Sequence, residues 1–244
     1  MSTFPRRVAA GVLLRSFLVQ GSWNYETLIG SGFAFTLLPA LRFLNPADAD
    51  LRKAVARHNG LFNSHPYLVT VAAGAVSRLE ADRTDPRTIE RFKSALRGSL
   101  GSLGDQLIWS AWRPTTVLLG LVLLLVGAAW WVAVVAFLVL YNTLNIALRV
   151  WGWSIGTRSG IDVARALREA PLQSFAARVS DAGAVLGGFA TVFAFAEIPT
   201  RPDALGFALV AAVVGIVIGA RTRKLFTVII ALVWFVALAW AWSR

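Results

Sequence analysis

The sequence predicts an all-α integral membrane protein: several transmembrane helices, broken or re-entrant helical segments, and amphipathic helices at the interface. Three observations carry this expectation. Of the 244 residues, 57% are hydrophobic and only 15% are charged, with a mean hydropathy of +0.63. That leaves too little polar surface for a water-soluble domain of this length. The apolar residues are also gathered into runs. No charged residue occurs from Thr115 to Leu148, and "TVLLGLVLLLVGAAWWVAVVAFLVL" exceeds the roughly 20 apolar residues that cross a bilayer as a helix. Finally, the first half alternates short apolar stretches with basic amphipathic ones. This suggests an N-terminal amphipathic and re-entrant part (1–114) with polar motifs and a transmembrane part (115–244), together one polytopic unit.

The chain opens with "MSTFPRRVAAGVLLRSFLVQ", where Arg15 interrupts the apolar stretch, so no cleavable signal peptide is expected. "LIGSGFAFTLLPAL" (28–41) and "HPYLVTVAAGAV" (65–76) are too short to cross alone. Each contains proline or glycine where a membrane helix breaks, and broken helices are tolerated only where protein or a water-filled cavity satisfies the backbone. "NPADADLRKAVARHNG" (45–60) reads as a helix capped by Asn45, with Pro46 at its first position, early aspartates and a basic end. "TDPRTIERFKSALRGSLGSLGDQLIW" (84–109) begins in the same way. Its Ile89, Phe92, Leu96, Leu100, Leu103 and Leu107 form one apolar stripe, opposite Arg87, Arg91, Lys93 and Arg97. Such a helix lies on a membrane surface or against a partner helix. The run from Thr115 reads as one span, followed by candidates at Val185–Ile198 (short for a full crossing), Ala204–Ala220 and Leu225–Trp242.

Lysine and arginine bias sets orientation. Arg149, Arg158, Arg165, Arg168 and Arg178 place 149–178 in the cytoplasm, as do Arg221, Arg223 and Lys224 for the last loop; the turn with only Arg201 and the C-terminus fall outside. Ten Lys and Arg between 42 and 97 conflict with a single crossing at 116–140, so further turns or crossings are expected in the first half.

Most reaction chemistry has no residues to carry it. With no cysteine, disulfides, iron–sulfur clusters and thiolate zinc sites are excluded. His58 and His65 lack metal-ligand spacing, the glycines of "GSLGSLGD" precede no Lys-Ser or Lys-Thr, and no G-x-S-x-G occurs. No catalytic residue, metal or cofactor is expected. The net charge of +11 belongs to membrane-flanking loops rather than to nucleic acid, since no aromatic-basic stacking motif accompanies it.

What remains is a set of polar clusters in apolar surroundings: "SWNYE" (22–26), "FNSHPY" (62–67), "GDQLIW" (104–109) and "RVWGW" (149–153). Ionisable groups at membrane depth mark pathways or paired sites. Carboxylates and amides beside tryptophan also suit a sugar, whose hydroxyls they bind while the ring covers its C–H patches. Plainer readings stand beside this one. Asp105 reads equally as a helix cap, Asn63 and His65 as braces of the turn before Pro66, and Trp23, Trp109 and Trp112 as interfacial anchors. Trp151, Trp153, Trp240 and Trp242 read as belt residues.

These four segments, in this order, resemble the IID subunit of mannose-family phosphotransferase-system (PTS) sugar permeases. The resemblance rests on "SWNYETLIGSGFAFTLLPALR" (22–42), "HNGLFNSHPYL" (58–68) with Ser64 in place of threonine, and "LGSLGDQLIWSAWRP" (100–114) with Gln106 where a small residue is usual. "NIALRVWGWSIGTRSGID" (145–162) completes it, over about residues 15–190. It implies a multi-pass, lipid-embedded subunit of the bacterial cytoplasmic (inner) membrane, paired with a IIC membrane subunit. The two together form the path for a hexose of mannose, fructose or sorbose type. Soluble IIAB components carry the phosphohistidines, and IIB phosphorylates the sugar, so this chain is a non-catalytic translocation subunit that bears no phosphate. Of its histidines, His58 is expected to be the more exposed. The sugar path is assigned to Asn63, His65, Asp105 and Gln106, with Trp109 stacking and Glu26 in support. The alternative is a non-transporting scaffold or regulatory subunit of an incomplete system, because the chain departs from the family pattern after about Ile198 and at Gln106.

Overall fold

The computed structural model describes residues 4–196. The candidate spans at 204–220 and 225–242, the charges at Arg201, Arg221, Arg223 and Lys224, and Trp240 and Trp242 lie outside the described residues. Residues Met1–Ala190 form one compact unit, and of the second, Thr191–Arg244, only the end of a helix is described. The helices are α1 (Arg6–Ser16), α2 (Gly30–Leu44), α3 (Asp48–His58), α4 (Val69–Ala81) and α5 (Pro86–Gly104). A π-helical stretch (Asp105–Trp112) leads into α6 (Arg113–Leu125) and α7 (Trp130–Ser159). A 3₁₀ turn (Gly160–Asp162), α8 (Val163–Glu169) and α9 (Leu172–Ala196) complete the order. No strand forms among the described residues, only isolated bridges at Asn24–Leu28 and Leu28–Phe62.

Helix α4 is the core. All its residues except Arg78 and Ala81 are buried, which explains an apolar helix without a polar face. It is continuous, as is α2, which runs through Pro39 without a break. The break expected in the first segment is therefore absent, α2 running to Leu44, while in the second the chain turns at Pro66 and α4 starts only after it. Helix α7 packs along α4 through Gly74, Gly152 and Gly156, where the two backbones touch.

Helix α3 starts at Asp48, not at the predicted cap. Asn45 instead ends α2: its backbone N–H (2.9 Å) and its Nδ2 (3.0 Å) both donate to the Leu41 carbonyl. Pro46 explains this, since the residue before a proline is pushed out of the helical region. Helix α5 follows the prediction, with Asp85 accepting from the Thr88 N–H at 3.0 Å and Pro86 at the first position. Its stripe is buried at Ile89, Leu96, Leu100 and Leu107, while Phe92 and Leu103 are half-buried.

Lys93 leaves the polar face that was predicted for it. It is 1% exposed, and its Nζ donates to the Arg57 carbonyl (3.1 Å) and to Glu90 (2.9 Å). An ammonium there serves the negative end of α3. His58, expected to be exposed, is also buried: Nε2 meets Glu80 Oε1 at 2.9 Å, and both Glu80 oxygens accept from Arg57 Nη2 at 2.9 Å.

Burial lowers the His58 pKa, helped by the charges of Lys93 and Arg57 and opposed by its bond to Glu80. Because the folded-state pKa is depressed, the unfolded chain binds the proton more readily. The stabilisation is present above the ordinary histidine value of about 6.5 and is lost as pH falls below it. The thermal midpoint of the purified protein should therefore drop between pH 7.5 and 5.5, and His58→Gln should flatten that slope. An equally steep slope in the variant would place the titration elsewhere.

The apolar run from Thr115 is two helices rather than one span. At the end of α6, Gly127 takes φ +85°, its N–H donates to the Leu124 carbonyl (3.0 Å), and the Ala128 N–H donates to that of Leu123 (2.9 Å). This paired capping pattern stops a helix and reverses the chain. Helices α6 and α7 then pack against each other as a hairpin. Of the segment predicted as a short span at 185–198, the described residues are the end of α9, which begins at Leu172 and carries Arg178 within it. Two stretches, Pro86–Leu125 and Trp130–Thr191, are long and apolar enough to cross a membrane, and only 22% and 17% of their most apolar windows are buried in the chain. Exposed apolar surface on that scale faces lipid or another membrane chain.

Candidate functional site

Two loops and the π-helical stretch build the site. In the first loop Asn24 forms an Asx turn: its Oδ1 accepts from the N–H of Glu26 (3.0 Å) and of Thr27 (2.8 Å). Leu28 follows with φ +55°, a left-handed conformation costly for a residue with a side chain. It is held there by reciprocal bonds with Asn24 at 2.8 and 3.2 Å. The second loop, 60–68, runs beside the first. Phe62 N–H donates to the Thr27 carbonyl (3.1 Å), and the Phe62 carbonyl accepts from Ile29 N–H (3.0 Å). The Phe62 ring is buried and stacked on Phe33 at 4.2 Å. Glu26 and Asn63 therefore lie on adjoining loops, and both are exposed.

His65 lies beneath this surface, 3% exposed. Its Nδ1 accepts from the Tyr67 N–H at 3.2 Å, so the ring proton is assigned to Nε2, which is buried without a hydrogen-bond partner. The bracing of the turn is real for His65. The ring rests on Gly104, where a Cβ would overlap the imidazole, and this explains the glycine of "GDQLIW". Around that contact the structure gathers Asp105, whose charge acts on the imidazole, and Trp109, whose ring meets that of His65 at 5.9 Å. Asp105, Gln106 and Trp109 are exposed, Trp109 at 47%.

Asp105 is not a helix cap, because the chain is helical on both sides of it. The π-helical stretch was not predicted. Its signal was Pro114, whose ring in an α-helix clashes with the carbonyl four residues back; wider turns before it relieve the clash. Trp112 is half-buried beside Phe175 (6.0 Å). Trp153, read as a belt residue, is buried against Phe4 at 5.6 Å, and Trp151 is half-buried.

Arg149 was counted among loop charges, yet it lies inside α7 and is 4% exposed. Its Nε donates to Asn145 Oδ1 (2.8 Å), and its Nη1 donates to the Ser16 carbonyl (2.7 Å) and to Ser16 Oγ (2.8 Å). A single charge within an apolar stretch was the available signal. Among the described residues, no group of three or more His, Asp or Glu is placed to hold a metal ion.

An all-helical membrane protein with long apolar helices and exposed polar side chains on two loops and a π-helical turn is the class that this fold and site define. The family model described as "PTS system mannose/fructose/sorbose family IID component" matches residues 6–243. The "PTS system mannose-specific EIID component" of Escherichia coli K12 is 33% identical over 185 residues, which cover 73% of this chain and 63% of that protein. The "PTS system sorbose-specific EIID component" of Klebsiella pneumoniae is 31% identical over 183 residues, covering 73% and 65%. A chain of the cryo-EM structure of the mannose transporter ManYZ with microcin E492 superposes with a TM-score of 0.61 at 31% identity, over 77% of this chain and 70% of that one. A second solved chain, described as the structure of a membrane protein, gives a TM-score of 0.68 at 31% identity, over 76% and 70%. The chain belongs to the mannose/fructose/sorbose family of PTS IID components. It spans about 63–65% of the length of the mannose and sorbose relatives above.

Proposed function

We propose that the chain is the D-type membrane subunit of a PTS sugar permease in a bacterial cytoplasmic membrane. With a C-type membrane subunit it forms the path of a hexose of mannose, fructose or sorbose type, which a soluble IIB component phosphorylates. The observation that carries this reading is the polar face. Glu26, Asn63, Asp105, Gln106 and Trp109 come from three separate segments and are all exposed, in a chain whose long helices are apolar outside. Exposed Trp23 (47%) and Tyr25 (88%) belong to the same first loop and give that face the apolar surface that a partner subunit covers. Asn63, Asp105 and Gln106 supply hydrogen-bonding groups for sugar hydroxyls, Trp109 supplies a ring face, Glu26 flanks Asn63, and His65 holds the turn beneath them. Both histidines are at most 3% exposed. A soluble phosphocarrier has no histidine to reach here, which supports the reading that the phosphate stays on IIAB. The hairpin of α6 and α7 supports a multi-pass arrangement with the basic 42–97 region and the end of α7 both on the cytoplasmic side.

The test is binding of D-mannose, D-fructose and L-sorbose to the complex co-purified with its C-type subunit. Asp105→Asn and Asn63→Ala should each weaken the tightest of these by about 5- to 150-fold, as expected for losing roughly 1–3 kcal/mol at a hydrogen bond to a buried hydroxyl. Normal binding by both variants would remove these residues from the path. A complex that assembles but binds and transports none of the three sugars would favour a scaffold.

A further inference from the structure

The charge on Arg149 is buried without a carboxylate in ion-pair range among the described residues. Burying a guanidinium is costly unless its donors and charge are met. Here Ser16 meets part of that need. It is the last residue of α1, so its carbonyl sits at the negative end of that helix, and its hydroxyl, itself bonded to the Leu13 carbonyl (2.6 Å), accepts from the same Arg149 nitrogen. Asn145, one turn back on α7, takes Nε. Two rings lie close to the charge: the guanidinium carbon lies 4.4 Å from the centroid of Phe17 and 5.6 Å from that of Tyr67.

Tyr67 is where this anchor reaches the site. Its ring meets His65 at 5.1 Å and Tyr141 of α7 at 6.0 Å, and its N–H is the donor that fixes the His65 ring. His65 in turn meets Trp109, over whose ring Arg113 lies at 4.9 Å. Rings and cations thus run in one chain of contacts from the end of α1, through Arg149, Tyr67, His65 and Trp109, to Arg113. We propose that Arg149 is a positioning residue: it pins the His65-Pro66-Tyr67 turn to the end of α1 and to α7, and so sets where Asn63 and Trp109 stand on the polar face. Its effect on sugar rests on the reading of that face as the sugar path. Its effect on the turn does not.

Lysine is a poor substitute at such a place. It keeps the charge and one bond to Ser16 but has neither the fork that bonds Asn145 and Ser16 together nor the delocalised plane that suits contact with aromatic rings.

The chain has no cysteine, so an introduced pair reports cleanly. Nitroxides at Leu14→Cys on α1 and Asn63→Cys beside the turn, both exposed positions, give a distance distribution by pulsed EPR on the purified full chain. Uptake by the complete complex, with this chain free of the introduced cysteines, gives KM and maximal rate for D-mannose, D-fructose and L-sorbose. Arg149→Gln should broaden the distance distribution and raise KM at least tenfold for the preferred sugar. The maximal rate per assembled complex should change less than threefold. A purely structural loss would instead lower the yield of complex and leave KM alone. Arg149→Lys should recover less than half of either effect, and it carries the test if the glutamine variant does not fold. An unchanged distribution in Arg149→Gln, or a lysine variant identical to the parent in both readouts, overturns the proposal. A broadened distribution with unchanged KM and an unchanged yield of complex upholds the positioning role and counts against the sugar-path reading instead.

Discussion

Replacing Glu80 by glutamine should lower stability by about 3 kcal/mol, the low end of the range for removing one member of a buried ion pair. Glu80 is 6% exposed and accepts three hydrogen bonds at 2.9 Å, two from Arg57 and one from His58. Glutamine keeps the volume but has one acceptor oxygen, so the Arg57 charge loses its partner and an amide N–H₂ faces hydrogen-bond donors. The low end applies because the Arg57 side chain is 35% exposed and water reaches it. The measurement is the apparent unfolding midpoint in detergent, with Asp82→Asn as control. Asp82 also pairs with an arginine, Arg78 at 2.7 Å, but both side chains are more than a third exposed. Such surface pairs contribute about 0–1 kcal/mol. Equal shifts for the two variants would mean that burial does not govern the Glu80 cluster. The cluster ties the end of α3 to α4, while Lys93 of α5 reaches the same α3 terminus. Its loss should therefore loosen the helices that carry the second loop of the site.

Gly156→Ala on α7 should destabilise by about 3 kcal/mol, at the upper end of the usual cost of overpacking. A Cβ there would collide with the Val71 carbonyl and come within 2.8 Å of the Ala75 nitrogen, and both are backbone atoms of the core helix. Neither can turn aside as a side chain would. Gly74, directly opposite, faces the same restriction from the Trp153 carbonyl and the Thr157 nitrogen. The two helices must therefore separate along their whole contact, which should also reduce assembly with a C-type subunit. Gly98 on α5 provides the contrast, since nothing lies within 4 Å of its Cβ position. Gly98→Ala should stabilise by about 0.5–1 kcal/mol through the lower backbone entropy of alanine in a helix. If both variants lose stability alike, close packing of α4 and α7 is not what glycine supplies at 156.

Much of the architecture was legible without coordinates. The start of α5 follows from Asp85 and Pro86, and its buried stripe from three- and four-residue steps, because caps and stripes depend on residues one turn apart. Membrane class follows from composition for a similar reason: transfer of an apolar run into lipid is a sum over its own residues. The split at Gly127 was also local, yet hydropathy alone passes over it. A window of apolar residues has the same transfer energy whether it runs straight or folds back, and only the left-handed glycine with its two capping bonds distinguishes them.

The four motifs were legible as well, but not the depth at which their members lie. Asn63, Asp105 and Gln106 are exposed, while His65 is beneath them, and no spacing rule separates these cases. Lys93 and His58 sit on amphipathic helices where solvent was the natural expectation. Each is buried because the end of α3, α4 and α5 meet there and supply Glu80 and the Arg57 carbonyl. Arg149 is the extreme case. Its partner Ser16 lies 133 residues earlier in the chain. Sequence alone determined the cap and buried stripe of α5 and that the chain is helical and belongs in a membrane, since those outcomes depend on neighbours within a few residues or on summed transfer energies. Tertiary structure decided which charges are inside, which glycines must be glycine and which polar groups are exposed. Those outcomes depend on pairs brought together only by packing, and the energy of a buried charge or a backbone contact is set by its partner rather than by its own neighbours along the chain.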